Sequence, residues 1–221
     1  MSEEQIVKKE AQIVEEVQIV KKVTMFKDAY DTSHPHYIEI TKVFERIRTG
    51  KSSKEIIEKL RTLTDKDEEA KLKKTLPFIC FAGLFTHRSN ACIQEHSGYI
   101  CLDFDHIDAR LPLVREKMIN DKYTMACFVS PRNNGLKVIV KIPADIDNHK
   151  GYYEGLRLHY KESSMDDDSE VARGCFQSYD PNIYVNLDSA VFDILVVPKV
   201  DVALDYSTRK NRIRDLAVIY D

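Results

Sequence analysis

Tyr99-Ile100-Cys101-Leu102-Asp103-Phe104-Asp105, with the apolar runs that follow it at Tyr123 to Val129 and Leu136 to Ile142, decides the fold. Tyr99 to Phe104 is short, apolar and aromatic, the texture of a strand. Leu111, Val114 and Met118 then fall on one face of a helix that Asp108 is placed to cap. The next two runs, separated by the polar turn Pro131 to Asn134, predict a pair of strands. Helical spacing returns over His149 to Tyr160, where Tyr152, Leu156 and Tyr160 align. A last strand is predicted near Cys175 to Tyr179. The order βαββαβ is the split βαβ unit of RRM-like and ferredoxin-like domains, an α+β fold. It implies a four-stranded antiparallel sheet with two helices on one face and an open face free to hold a site. The final strand is expected beside the strand that carries Asp103.

Working outward, Val23 to Phe26 predicts a short strand. Ile40, Val43, Phe44 and Ile47 follow helical spacing up to Gly50, a C-terminal stop. Ser52-Ser53-Lys54-Glu55 has the pattern of a capping box, with Ile56, Leu60 and Leu63 as the buried stripe of the next helix. Asp65 to Thr75 predicts a charged third helix, read as a solvated face. Phe78 to Phe85 is apolar and β-prone, and Thr86 to Ser97 reads as a polar loop. The organisation expected is an extension over 1–22, a domain over 23–198 that includes a helical block at 38–75, and a tail or linker over 199–221. The extension repeats Gln-Ile-Val at Gln5, Gln12 and Gln18, and reads as an extra helix or strand that packs on the domain or frays.

The 221 residues carry 33 Lys and Arg against 36 Asp and Glu, a net charge of −3, so no global basic field advertises nucleic acid. No apolar run approaches the ~20 residues that span a bilayer. The N-terminus lacks the pattern of a secretory signal. A cytoplasmic protein with no membrane partner is expected. Cys80, Cys92, Cys101, Cys127 and Cys175 form no CxxC pair and read as buried thiols in a reducing compartment.

Three stretches can carry chemistry. Asp103 and Asp105 project from one face of a strand, about 7 Å apart along the backbone. Two such carboxylates repel unless a cation lies between them, and hard Mg²⁺ or Mn²⁺ is the natural occupant. The same pair also suits a strand end that meets solvent. Ser130-Pro131-Arg132-Asn133-Asn134-Gly135-Leu136-Lys137 offers a hydroxyl, backbone N–H groups and two cations, which together can hold a triphosphate. It equally suits an ordinary hairpin turned by Asn133-Asn134-Gly135. The acidic run Asp166-Asp167-Asp168 precedes Arg173, which can reach a carboxylate or a phosphate.

These stretches belong to an ordered set. Leu76-Pro77 with Phe81, Gly83, Phe85 and Arg88 comes first, then His96 to Asp105, then Ser130-Pro131 through Lys137. Arg173-Gly174-Cys175-Phe176 and Ser178-Tyr179-Asp180-Pro181 complete it. The set, between Val23 and Asn186, resembles the N-terminal domain found with virulence-associated protein E (VirE) and its Bacteroides relatives, within the archaeo-eukaryotic primase superfamily. The resemblance implies a primase-polymerase-like domain making primers in DNA replication of a bacterium or mobile element. Its partners would be nucleoside triphosphates, a single-stranded DNA template and a replicative helicase. It implies that Asp103, Asp105 and Asp166 are catalytic and hold Mg²⁺ or Mn²⁺, and that Ser130, Arg132, Gly135, Lys137 and Arg173 bind the nucleotide. The register of the third acid stays open across Asp166 to Asp168. The chain departs from the pattern at Lys137, where a His is usual, and at Asn133, where a Gly is expected. That departure motivates the alternative of a catalytically inactive nucleotide- or DNA-binding module attached to a helicase. A metal nuclease using the same acids is a third reading.

Overall fold

The computed structural model of the chain describes residues 21–196. The Gln-Ile-Val repeats and the tail from 199 onward lie outside the described residues. The chain forms strands β1 (Lys22–Phe26) and β2 (His36–Glu39), then helices α1 (Ile40–Thr49), α2 (Lys54–Thr62) and α3 (Lys66–Lys73). Strands β3 (Phe78–Cys80), β4 (Gly83–Phe85), β5 (Ile93–His96) and β6 (Tyr99–Phe104) come next, followed by α4 (Leu111–Ile119). The remainder is β7 (Thr124–Val129), β8 (Leu136–Lys141), α5 (His149–Tyr160), β9 (Cys175–Phe176) and β10 (Tyr184–Val185). The protein is α+β, as expected, with three antiparallel sheets ordered β2-β1-β3-β9, β10-β7-β8-β6 and β4-β5. Among the described residues no helix is long and apolar enough to cross a membrane.

The second of these sheets has two buried faces. Ile100, Leu102 and Phe104 of β6, with Leu136, Val138 and Val140 of β8, pack on Val114 and Met118 of α4 and on Tyr153, Leu156 and Tyr160 of α5. The alternate positions Tyr99, Met125, Phe128 and Ile139 form another core with Val23 and Ile79 of the first sheet and Ile40, Val43, Phe44 and Ile47 of α1. The open face expected from the split βαβ pattern is therefore covered. The physical reason lies in the strands themselves: β7 (TMACFV) is apolar at odd and even positions alike, and β8 adds Ile139 to the same second face. Such a sheet needs a layer on each side.

The expected last strand is also elsewhere. Cys175 pairs with Ile79 and Phe176 with Phe78, so β9 belongs to the first sheet rather than beside β6. The edge of β6 is met by a single antiparallel bridge, Phe104 to Met165. The acidic residues that follow Met165 are unsuited to extending a strand along that apolar edge. β10 pairs with β7 at the opposite edge.

Smaller departures follow from local chemistry. Phe78 to Phe85 splits into β3 and β4, and the predicted loop at Thr86 to Ser97 contains β5, which pairs with β4. Ser53 precedes α2 without capping it, because its hydroxyl accepts from Gln177 Nε2 at 2.8 Å. The buried stripe of that helix is Ile57 and Leu60, packed with Leu76 and flanked by Ile56. Asp108 opens a 3₁₀ turn, Asp108–Arg110, rather than capping α4. Gly50 adopts the left-handed conformation (φ 71°) that ends α1, as the sequence indicates. All five cysteines are free thiols; Cys80, Cys127 and Cys175 are buried, whereas Cys92 and Cys101 are only partly so.

Candidate metal centre

The centre is built at the end of β6. In the antiparallel register Asp103 stands opposite Lys137, and the Lys137 ammonium pairs with Asp103 Oδ2. Both side chains are almost wholly buried. The Met165 bridge brings a third acid to the same place. Asp105 N donates to Ser164 O and Asp166 N donates to Asp103 O, each at 3.0 Å. Asp103, Asp105 and Asp166 thereby present carboxylate oxygens that all lie within 4.8 Å of one another. Of the three consecutive acids, Asp166 is the one whose carboxylate lies with those of Asp103 and Asp105. Asp167 is exposed, and Asp168 pairs with Arg173 at 3.4 Å.

Two cations face these acids. Arg173 forks onto both oxygens of Asp166, donates to Asp103 Oδ2 at 3.3 Å and to Asp168 O at 2.8 Å. Burial opposes ionisation of Asp166, but the bonds and charge of Arg173 outweigh it and hold the carboxyl below its ordinary range. Reciprocally, burial disfavours the guanidinium, yet Asp166 raises its pKa on balance. Burial pushes the Lys137 ammonium pKa down.

The hairpin between β7 and β8 contributes unequally. Gly135 lies against the acids: a Cβ there would meet Phe104 O at 2.5 Å and Asp105 Oδ1 at 3.2 Å. Only glycine lets the hairpin backbone approach so closely. Ser130 Oγ instead bonds Asn134 Oδ1 at 3.3 Å, and Arg132 pairs with the buried Glu69 of α3. That helix is therefore not merely a solvated face. Arg61 of α2 also donates to Pro131 O at 3.1 Å, so the helical block grips the hairpin. The structure thus gathers Asp103, Asp105, Asp166, Gly135, Lys137 and Arg173, while Ser130 and Arg132 are engaged in holding the loop.

The residues fit a hard divalent cation. The donor set is all carboxylate oxygen, as Mg²⁺ and Mn²⁺ prefer. Asp103 Oδ1 is buried with no hydrogen-bond partner, and an acceptor left so is costly unless something occupies it.

With this geometry in view, comparison with known families shows that residues 71–185 fit the one described as BT4734-like, N-terminal domain. That is more than half of the chain. The chain belongs to the BT4734-like N-terminal domain family. No curated protein and no solved structure matches it. The matched part of this BT4734-like domain contains all eight residues singled out in the sequence, from Asp103 to Arg173. β1, β2 and α1 precede it and contribute to the second layer over the sheet.

One residue of the BT4734-like centre escaped the sequence reading. Tyr153 lies on the buried face of α5, and its hydroxyl reaches Asp166. The spacing Tyr153, Leu156, Tyr160 is as helical as Tyr152, Leu156, Tyr160, and only packing shows that Tyr153 points at an acid.

Proposed function

We propose that this domain is a primase-polymerase-like module of the archaeo-eukaryotic primase superfamily, related to the domain found with virulence-associated protein E. It would carry out metal-dependent nucleotidyl transfer in DNA replication of a bacterium or mobile element. The observation that carries this reading is the meeting of Asp103, Asp105 and Asp166 within 4.8 Å, beside Lys137 and Arg173. Asp103, Asp105 and Asp166 would hold Mg²⁺ or Mn²⁺. A bound divalent cation supplies activation of a primer hydroxyl and neutralisation of a leaving pyrophosphate.

The chain's own groups do the rest. Lys137, a buried residue of β8 opposite Asp103, offers a point charge to a phosphate, although it lacks the second nitrogen of the usual imidazole. Arg173 presents a planar fork that can pass from carboxylate to phosphate oxygens as a triphosphate enters. Gly135, itself buried, lets the hairpin backbone lie close against the strand end that carries Asp105. A nucleoside triphosphate, a single-stranded DNA template and a helicase partner complete the reading.

A second reading has its own support. Lys137 and Arg173 already neutralise Asp103 and Asp166, so the cluster is stable in charge without an ion. An inactive nucleotide- or DNA-binding module attached to a helicase would look the same. Primer synthesis with labelled nucleotides and Mg²⁺ or Mn²⁺ separates the two. Incorporation that disappears in Asp103→Ala, Asp105→Ala supports the enzyme; triphosphate binding without turnover supports the module. Incorporation equal in wild type and variant removes the proposed site.

A further inference from the structure

The outer face of the first sheet carries a row of aromatic rings with cations over them. Phe78 and Phe176 are directly opposed in the β3–β9 pair. Their rings meet edge to face at 5.0 Å between centroids. Their neighbours Ile79 and Cys175 point inward to the core, so the two phenylalanines project to the other side, where both are half-buried. The Arg88 guanidinium lies 4.6 Å from the centroid of Phe78. The Lys73 ammonium lies 5.1 Å from that of Phe176, and three residues further on Lys54 lies 5.3 Å from that of Tyr179.

The row adjoins the segment that carries Arg173 of the acidic centre. Phe78 is laid against Gly174, where any Cβ would meet its Cε1 at 1.7 Å, and the preceding residue is Arg173. Lys73 is also close enough for its charge to act on Lys137. Nothing in the reading of the acidic centre uses Lys73, Arg88, Phe78, Phe176 or Tyr179. The overall charge is slightly negative, so a local run of cations interleaved with aromatic rings is the more specific.

We infer that the row Arg88, Phe78, Phe176, Lys73 is a track for single-stranded nucleic acid leading to the acidic centre. This deepens the proposed function and rests on it for the identity of the strand as template. Aromatic rings offer faces to bases of any sequence, and lysine and arginine leave the rings to meet phosphates. An arginine stacked on a ring is itself a flat surface on which a base can lie. Sequence-tolerant binding suits a strand that must slide past a fixed site.

The test is fluorescence anisotropy of a labelled oligothymidylate and of an abasic strand of equal length, with the full chain and no nucleotide. Phe176→Leu keeps apolar volume and removes the ring. It is expected to weaken oligothymidylate binding about tenfold and to change binding of the abasic strand little. Lys73→Glu with Arg88→Glu is expected to weaken both strands and to lower the salt slope by about 1.4, at ~0.7 per phosphate contact on a single strand. This pair reverses two charges and removes the cations over Phe176 and Phe78 while keeping both rings, and carries the test if circular dichroism shows it folded and Phe176→Leu misfolded. Wild-type binding that neither variant lowers overturns the track, as does a wild type that binds neither strand. Incorporation of nucleotides with unchanged strand binding in both variants leaves the enzyme reading standing and the track refuted. Strand binding lost in the variants, with no incorporation by wild type, does the reverse.

Discussion

The hydroxyl of Tyr153 donates to the backbone carbonyl of Asp166 at 2.7 Å and approaches its Oδ1 at 3.2 Å. One ring on α5 thus fixes both the chain and the carboxylate of the third acid. Burial, followed by the nearby charge of Asp166, raises the pKa of this phenol, so it stays a donor. Tyr153→Phe removes the donor while preserving the packing. It should cost about 1 kcal/mol of stability, and manganese affinity, titrated by calorimetry, should fall by roughly tenfold or more.

Gly135 decides how near the hairpin comes to Asp105. Gly135→Ala places a methyl 2.5 Å from Phe104 O, a backbone atom that cannot swing aside. The strand end must move, and a stability loss of about 1–3 kcal/mol is expected by urea denaturation. If the centre is a polymerase, incorporation should fall further than stability does, because Asp105 moves with the strand.

Asp180 is a structural acid. It is almost fully buried, and its Oδ2 accepts from Arg115 Nη1 at 3.1 Å and from Val129 N at 3.0 Å. Its Oδ1 accepts from Asn182 N at 2.9 Å. Asp180→Ala strands a cation and two N–H groups and should cost roughly 3 kcal/mol. Asp180→Asn still accepts hydrogen bonds and should cost less, an order that thermal melting would reveal.

Acid should destabilise the protein through a pair of histidines. Gly98 N donates to His96 Nδ1 at 3.0 Å, so the hydrogen of His96 is on Nε2, which donates to His149 Nδ1 at 2.9 Å. Burial, then the charge that His96 would carry, pushes His149 down to about 3 from an unfolded value of 6.5. Burial, then Lys21, lowers His96 against a smaller opposing pull from Asp145. Between pH 6.5 and 3 the unfolded chain therefore binds more protons than the folded one at His149, and stability falls as pH falls. The loss at this site is about 2 kcal/mol by pH 5. His149→Gln keeps an acceptor for His96 and removes one titration, so its stability should fall less steeply over this window. Equal slopes for variant and wild type would contradict this account.

Much of the site was legible because its parts are local. The strand Tyr99–Phe104, the hairpin with Asn133 in the left-handed conformation (φ 61°) and the helix His149–Tyr160 follow from residue periodicity and turn chemistry within single stretches. The acids and Arg173 could be named from their own stretches, whereas their meeting was implied only by the family resemblance. Arg132 looked like a ligand of phosphate because nothing in its own stretch reveals Glu69, some sixty residues earlier. Phe176 looked like any strand residue until its cross-strand partner placed it beside Phe78.

The sequence alone determined three strands of the second sheet, β6, β7 and β8, the helices α4 and α5 beside them and the residue types able to hold a hard cation, because each depends on neighbours a few positions apart. Only the tertiary structure decided that Asp166 rather than Asp167 or Asp168 joins Asp103, that β9 pairs with β3, and that both faces of the sheet are covered. Those outcomes depend on which surfaces are buried against which. That choice is settled by the summed packing of distant segments and leaves no signature in any one of them.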